Sequence, residues 1–320
     1  MTTGTRPFRF GVINESMTTV DVWLRQARRV EELGYDTFLI RDHFVPDFFG
    51  NQFAPFPALM AAAAATETLR IGTYVIDNDY RHPVFLANEV ATLDAMSGGR
   101  FELGIGAGWL RREYDLAGIP YDDARVRIDR LEEGLAILKG LWGVGPVHHT
   151  GTHYRIDGLE GFPKPDQRPR PPIMIGGGRP RMLRLAGREA DIVGLMTIGV
   201  GTGVVVDDPR KRMSAAVAEQ IGWVRDGAGD RFDAIELCTG IDVTITDDRR
   251  GQTEAIIARR GWSGLTVEDV WGMAAIHIGS IDQIVADIER SRAELGFSYL
   301  VVNDGLQETC APIVARLSGK

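Results

Sequence analysis

Eight apolar runs, each followed by a stretch with helical spacing, recur along nearly the whole chain, and this alternation constrains the fold more than any other feature. The strand-like runs cover residues 8–13, 37–40, 69–76, 100–108, 172–178, 191–196, 235–245 and 298–304. Helical spacing is clearest over 20–33, where Trp23, Ala27, Val30 and Leu33 recur every three to four residues and Gly34 is placed to stop the helix. Further helices are expected over 57–66, 83–96, 125–142, 181–188, 214–227 and 280–295, with another at the C-terminus. Runs such as PIMI (172–175) and YLVV (299–302) are continuously apolar. A strand open to water on one face would alternate, so these are strands covered on both faces. The pattern predicts an α/β protein, a single (β/α)8 TIM barrel over residues 1–320, with insertions around 143–172, 197–212 and 247–275 where the rhythm breaks.

Composition narrows the partners. The chain has 320 residues, 44% hydrophobic and 25% charged, which suits a globular protein with a sizeable core. A net charge of −8 argues against nucleic acid or an anionic membrane as the main partner and leaves a small molecule as the expected one. The longest apolar stretch, 58–65, is far short of the ~20 residues that a membrane-spanning helix needs. Cys238 and Cys310 form no CxxC pair, and no apolar leader precedes the first strand. The expected location is the cytoplasm.

In a barrel of this kind active sites gather where the strands end. Arg41, Asp42 and His43 follow the second run; Asp77, Asn78, Asp79, Arg81 and His82 follow the third. Gly104, Gly106, Ala107, Gly108 and Trp109 close the fourth, and Gly176, Gly177, Gly178 and Arg179 close the fifth. Each group has an ordinary reading too. Asp42 and His43 can cap a loop, and three glycines can make a tight turn. Three glycines between a strand and a helix also leave backbone N–H groups open to a phosphate. The segment GIGAGW (104–109) fails the G-x-G-x-x-G spacing of a dinucleotide site, because Trp109 stands in the sixth position. Its glycines fit the close approach of a large flat ligand, with Trp109 as a wall. His149 and His153 have a metal-like spacing, but Gly151 lies between them and no carboxylate follows at a useful offset. A solvated loop is the better reading and no metal is expected. No P-loop, nucleophile elbow or zincin motif is present.

Four segments in order, ARRVEELGYDTFLIRDHF (27–44), IGTYVIDNDYRHPVFLANEVATLDAMSGGRFELGIGAGW (71–109), RPRPPIMIGGGRPRMLRLAGREADIVGL (168–195) and HIGSIDQIVADIERSRAELGFSYLVV (277–302), give the chain a family look. It resembles the bacterial luciferase-like monooxygenase superfamily, in its coenzyme F420-dependent oxidoreductase branch. The resemblance implies a barrel with a tricyclic cofactor in its C-terminal mouth. The phosphate would lie near Gly106, Ala107, Gly108, Gly176, Gly177 and Gly178, with Arg112 adding charge. It also implies a bulge with a non-proline cis peptide at Tyr74–Val75, against the ring. Asp42 and His43 match a pair beside the reactive ring, where an imidazole titrating near neutrality can pass a proton while hydride moves. Arg41 could hold Asp42 as a salt bridge. A sugar-phosphate-oxidising subfamily carries glutamate where this chain has Trp109, which points to a more apolar substrate wall here. Phe44, Phe48, Phe49, Phe53 and Phe56 crowd the loop after the second strand, as a satellite core for most of them with one or two at the pocket. The expected function is F420-dependent hydride transfer to or from a small organic substrate, in a homodimer. The alternatives are an FMN-dependent monooxygenase that activates oxygen and a barrel that binds flavin or deazaflavin without turnover.

Overall fold

The computed structural model describes residues 6–15, 19–46, 50–197, 199–201 and 204–320. Its core is a closed parallel barrel of eight strands: β1 (Arg9–Asn14), β2 (Thr37–Ile40), β3 (Arg70–Thr73), β4 (Phe101–Gly106), β5 (Ile173–Gly177), β6 (Ile192–Leu195), β7 (Glu236–Gly240) and β8 (Phe297–Asn303). Each strand pairs in parallel with the next, and β8 pairs with β1 (Arg9 opposite Tyr299) to close the ring. The helices are α1 (Val20–Glu32), α2 (Pro55–Ala64), α3 (Pro83–Met96), α4 (Arg111–Ala117), α5 (Ala124–Trp142), α6 (Pro180–Glu189), α7 (Ser214–Ala228), α8 (Arg249–Arg260), α9 (Val267–Trp271), α10 (Ile281–Leu295) and α11 (Gln307–Leu317). The continuously apolar runs are buried on both faces, as expected: β2 and β6 have no exposed residue.

An ionic plug seals the N-terminal end of the barrel. Arg9, at the start of β1, bonds Glu102 of β4 at 2.6 Å and Glu236 of β7 at 2.7 Å, and Arg70 of β3 bonds Glu102 at 2.6 Å. The Arg9 guanidinium also lies 4.1 Å from the centre of the Tyr299 ring. Burial alone would raise the Glu102 pKa; the two arginines outweigh it and hold it below the usual range. The residues that follow the strands gather at the opposite, C-terminal end.

Two strands depart from their sequence outlines. The third run breaks after Thr73, where a cis peptide joins Tyr74 to Val75, and resumes as a short segment, Ile76–Asp77, that pairs with the end of β4. The seventh run does not continue to residue 245 in the barrel. Beyond Gly240 the chain turns outward, and Asp242–Ile245 pairs in parallel with Ile276–Gly279 in a separate two-stranded ladder. Between those strands lie α8 and α9, with a small core of their own built on Ile256, Trp262, Val270 and Met273. The histidine-rich stretch is also more regular than a loop. Val147–Thr150 and Arg155–Leu159 form an antiparallel pair. Glu133 holds its turn by accepting the N–H groups of Thr152, His153 and Tyr154, with His149 3.4 Å from the same carboxylate. No helix among the described residues is long and apolar enough to cross a membrane.

Candidate active site

The side chains that follow β2 point in opposite directions, because successive residues of an extended chain alternate. Arg41 turns towards the end of β1 and pairs with Glu15 at 2.6 Å. Asp42 turns towards β3, where Arg81 grips it through both nitrogens at 2.5 and 3.0 Å and the Asp77 N–H donates to it at 3.2 Å. The cation that holds Asp42 is therefore Arg81, not its sequence neighbour Arg41. Asp42 is buried at 7% exposure, so its carboxylate serves the joint between β2 and β3.

His43 is held from α4. Its Nδ1 lies 2.8 Å from Oε2 of Glu113, a residue with no solvent exposure. Tyr80 donates its hydroxyl to the same oxygen at 3.0 Å. The other oxygen of Glu113 accepts the backbone N–H groups of Phe44 at 2.7 Å and Val45 at 3.1 Å. Burial would push the Glu113 pKa up; the bonds from His43, Phe44 and Val45 outweigh it and keep the carboxylate ionised. Burial pushes the Tyr80 phenol far above its ordinary pKa, with Asp77 and Glu113 adding to the effect, so it stays a donor. The Trp109 ring stands edge-on to His43, with centroids 5.9 Å apart, and makes a wall beside the imidazole.

The residue next to Glu113 anchors the other side. Tyr114 donates to Asp77 at 2.6 Å, and the Asp79 N–H donates to Asp77 at 2.9 Å. Burial raises the Asp77 pKa to about 7 despite these bonds. Gly108 passes over this pair with φ +71°, and a Cβ there would sit 1.9 Å from the Tyr114 hydroxyl. The glycines of β4 serve the bulge of the third strand: a Cβ on Gly104 would meet the Thr73 carbonyl at 1.9 Å, and one on Gly106 would meet the Val75 side chain at 3.0 Å. They give room to the protein's own bulge at the barrel mouth. Tyr74 and Val75 are half-buried there, with Gly176 also next to Val75.

Gly106–Gly108 and Gly176–Gly178 leave from neighbouring strands, since β4 and β5 pair through Ile105 and Ile175. Each tract leads to a helix whose N-cap, Leu110 for α4 and Arg179 for α6, makes no side-chain capping bond. Open N–H groups at adjacent helix starts suit an anion. Arg127 on α5 secures the first tract by donating to the Ala107 carbonyl at 3.0 Å. Arg112 is exposed on α4. Of the phenylalanines after β2, Phe53 packs on Trp23 and Phe56 on Phe101, Phe44 is exposed against Tyr80, and Phe48 and Phe49 lie outside the described residues. Glu113 and the Arg81–Asp42 pair were not assigned from sequence.

A barrel closed at one end, with an imidazole at the mouth beside two glycine tracts, defines a small-molecule enzyme of the TIM-barrel class. The pattern of the luciferase-like monooxygenases matches residues 5–250, and the chain belongs to that family. It is 37% identical to an F420-dependent glucose-6-phosphate dehydrogenase of Microbacterium testaceum (strain StLB037) over 164 residues, 50% of this chain and 48% of that protein. It is 32% identical to a protein of the same name from Nakamurella multipartita (strain ATCC 700099 / DSM 44233 / CIP 104796 / JCM 9543 / NBRC 105858 / Y-104) over 248 residues, 76% of this chain and 68% of that one. Among solved structures, an F420-dependent secondary alcohol dehydrogenase in complex with an F420-acetone adduct shares the fold, with a TM-score of 0.74 and 19% identity over 98% of both chains.

Proposed function

We propose that this chain is a coenzyme F420-dependent oxidoreductase that moves hydride between the deazaflavin and a small organic substrate. The observation that carries the reading is His43, fixed through Nδ1 with its ring against Trp109, at the strand-end face of the barrel where β4 and β5 finish in the two glycine tracts. The names of the relatives support the cofactor, and the residues present fit it. Gly106, Ala107, Gly108, Gly176, Gly177 and Gly178 would receive the phosphate through uncapped helix starts, and Arg112 adds positive charge from α4. Tyr74 and Val75 would meet the ring system from the bulge of the third strand. Bound there, the deazaflavin supplies the two-electron acceptor or donor.

The chain's own contribution is positional and acid–base. His43 takes or gives the proton of the substrate's reacting group, Trp109 sets one wall of the pocket, and Asp42 holds the β2 and β3 ends together through Arg81. We read the molecule as one barrel domain with excursions around 143–172, 197–212 and 247–275, acting as a homodimer in the cytoplasm. Both cysteines are free and buried, in keeping with a reducing compartment. Replacing His43 with Gln tests the reading. Removal of a positioned general acid–base costs about 10²–10⁴ in kcat, and cofactor affinity should stay within a few-fold. Unchanged turnover in H43Q would exclude His43 as the proton carrier.

A further inference from the structure

Glu113 uses its two oxygens differently. Among the described residues Oε1 accepts only backbone N–H groups, those of Phe44 and Val45, while Oε2 faces Nδ1 of His43 and the hydroxyl of Tyr80. Backbone amides can only donate, so the Oε1 position must be an acceptor. Oε2 is an acceptor as well, because the carboxylate is ionised. A neutral imidazole carries one proton, and a carboxylate oxygen 2.8 Å from Nδ1 draws it to that nitrogen. The other nitrogen, Nε2, is then the one that carries the ring's lone pair.

We infer that Glu113 is the positioning residue of this site, holding His43 in the Nδ1–H tautomer so that Nε2 is the proton acceptor of the reaction. The inference rests on the reading that His43 moves the substrate proton. A carbinol serves as the probe: its C–H would leave with its electron pair as hydride to a bound deazaflavin while its O–H proton passed to Nε2, leaving a carbonyl, and in the reverse direction the same nitrogen, protonated, would return the proton to the carbonyl oxygen. In either direction Glu113 stabilises the imidazolium while remaining a carboxylate, with the Tyr80 hydroxyl and two amides holding it in place.

The two-oxygen arrangement makes Glu113→Gln an unusually specific probe. The amide is nearly isosteric with the carboxylate, and its single carbonyl oxygen must take the Oε1 position to satisfy Phe44 and Val45. Its NH2 group then faces His43 and can only donate, which forces Nδ1 to accept and moves the ring proton to Nε2. The Tyr80 hydroxyl rotates to accept from the same NH2 group. The mouth then presents an N–H in place of a lone pair.

The experiment is ¹⁵N–¹H NMR of the ¹⁵N-histidine-labelled full chain at a pH where the ring is neutral, with the His43 signal assigned as the one missing from H43Q. Wild type should show a pyrrole-type Nδ1 and a pyridine-type Nε2, and E113Q should show the reverse. Turnover of E113Q should fall about 10²–10⁴-fold in kcat, with KM for the carbinol within a few-fold. Tyr80→Phe, which removes the other side-chain donor, should leave the tautomer as in wild type. A wild-type ring protonated on Nε2, or an E113Q spectrum unchanged from wild type, overturns the inference whatever the turnover. The wild-type spectrum decides the tautomer even if E113Q does not fold. The proton role of His43 stands or falls separately, on the turnover of H43Q.

Discussion

Replacing Arg81 with Met isolates the joint beneath the site. Arg81 closes on Asp42 through two bonds, at 2.5 and 3.0 Å, and the carboxylate is only 7% exposed. Methionine fills much of the same volume and removes the charge. Breaking a buried pair by deleting one partner costs about 3–5 kcal/mol, because the remaining charge is stranded in a poorly solvated place. For a chain of this size that is a fall in Tm of roughly 6–10 °C, at roughly 2 °C per kcal/mol. In the double variant D42N/R81M no charge is stranded, and at least half of the lost stability should return. Thermal melts of the wild type, R81M and D42N/R81M provide the measurement. An R81M loss below about 1 kcal/mol, or a double variant no better than R81M, would refute the assignment of Arg81 as the essential partner of Asp42.

Two buried groups give stability–pH slopes of opposite sign. Burial raises the Asp77 pKa to about 7, so the folded state holds a proton that the unfolded state, with an ordinary carboxyl near 3.9, releases. Stability from this group therefore falls as pH rises from roughly 4 to 7, and D77N should abolish that fall in urea titrations. His277 is the reverse: burial, then Arg290 and Arg249, lower it to about 4, so the unfolded chain binds the extra proton between there and about 6.5. Its contribution is lost on acidification through that window, and His277→Leu should remove this acid sensitivity in the same titrations. Gly108→Ala places a Cβ 1.9 Å from the Tyr114 hydroxyl at φ +71°. The left-handed backbone alone costs about 1–2 kcal/mol, so a thermal melt should show at least that loss, and an unshifted melt would mean the turn relaxes freely.

The barrel was legible because burial on both faces leaves continuous apolar runs such as 172–175 and 299–302, and few other architectures require eight of them. The departure after Gly240 was not, since Asp242–Ile245 is as strand-like in sequence as β7 and only its partner, Ile276–Gly279, differs. Arg41 looked like the partner of Asp42 because the two are adjacent in sequence, yet alternation along an extended chain sends neighbours to opposite sides. The actual partner lies 39 residues further on. Glu113 was invisible for a similar reason. It lies in a seven-residue helix, RREYDLA, that is not among the helices expected from the sequence, and only the fold brings it to His43. The glycines stood out in the sequence, but the crowding of Gly104 and Gly106 against Thr73 and Val75 was not legible there, because the bulge at Tyr74–Val75 comes from a strand 31 residues away.

The central claim is tested most directly by parallel titration of the purified protein with coenzyme F420 and with FMN, each oxidised and reduced, followed by fluorescence. The account predicts saturable binding of F420, weakened at least tenfold when Gly177 is replaced by Asp, and FMN affinity lower by orders of magnitude. Tight binding of FMN with none of F420 would contradict it and move the chemistry of this mouth from hydride transfer to oxygen activation.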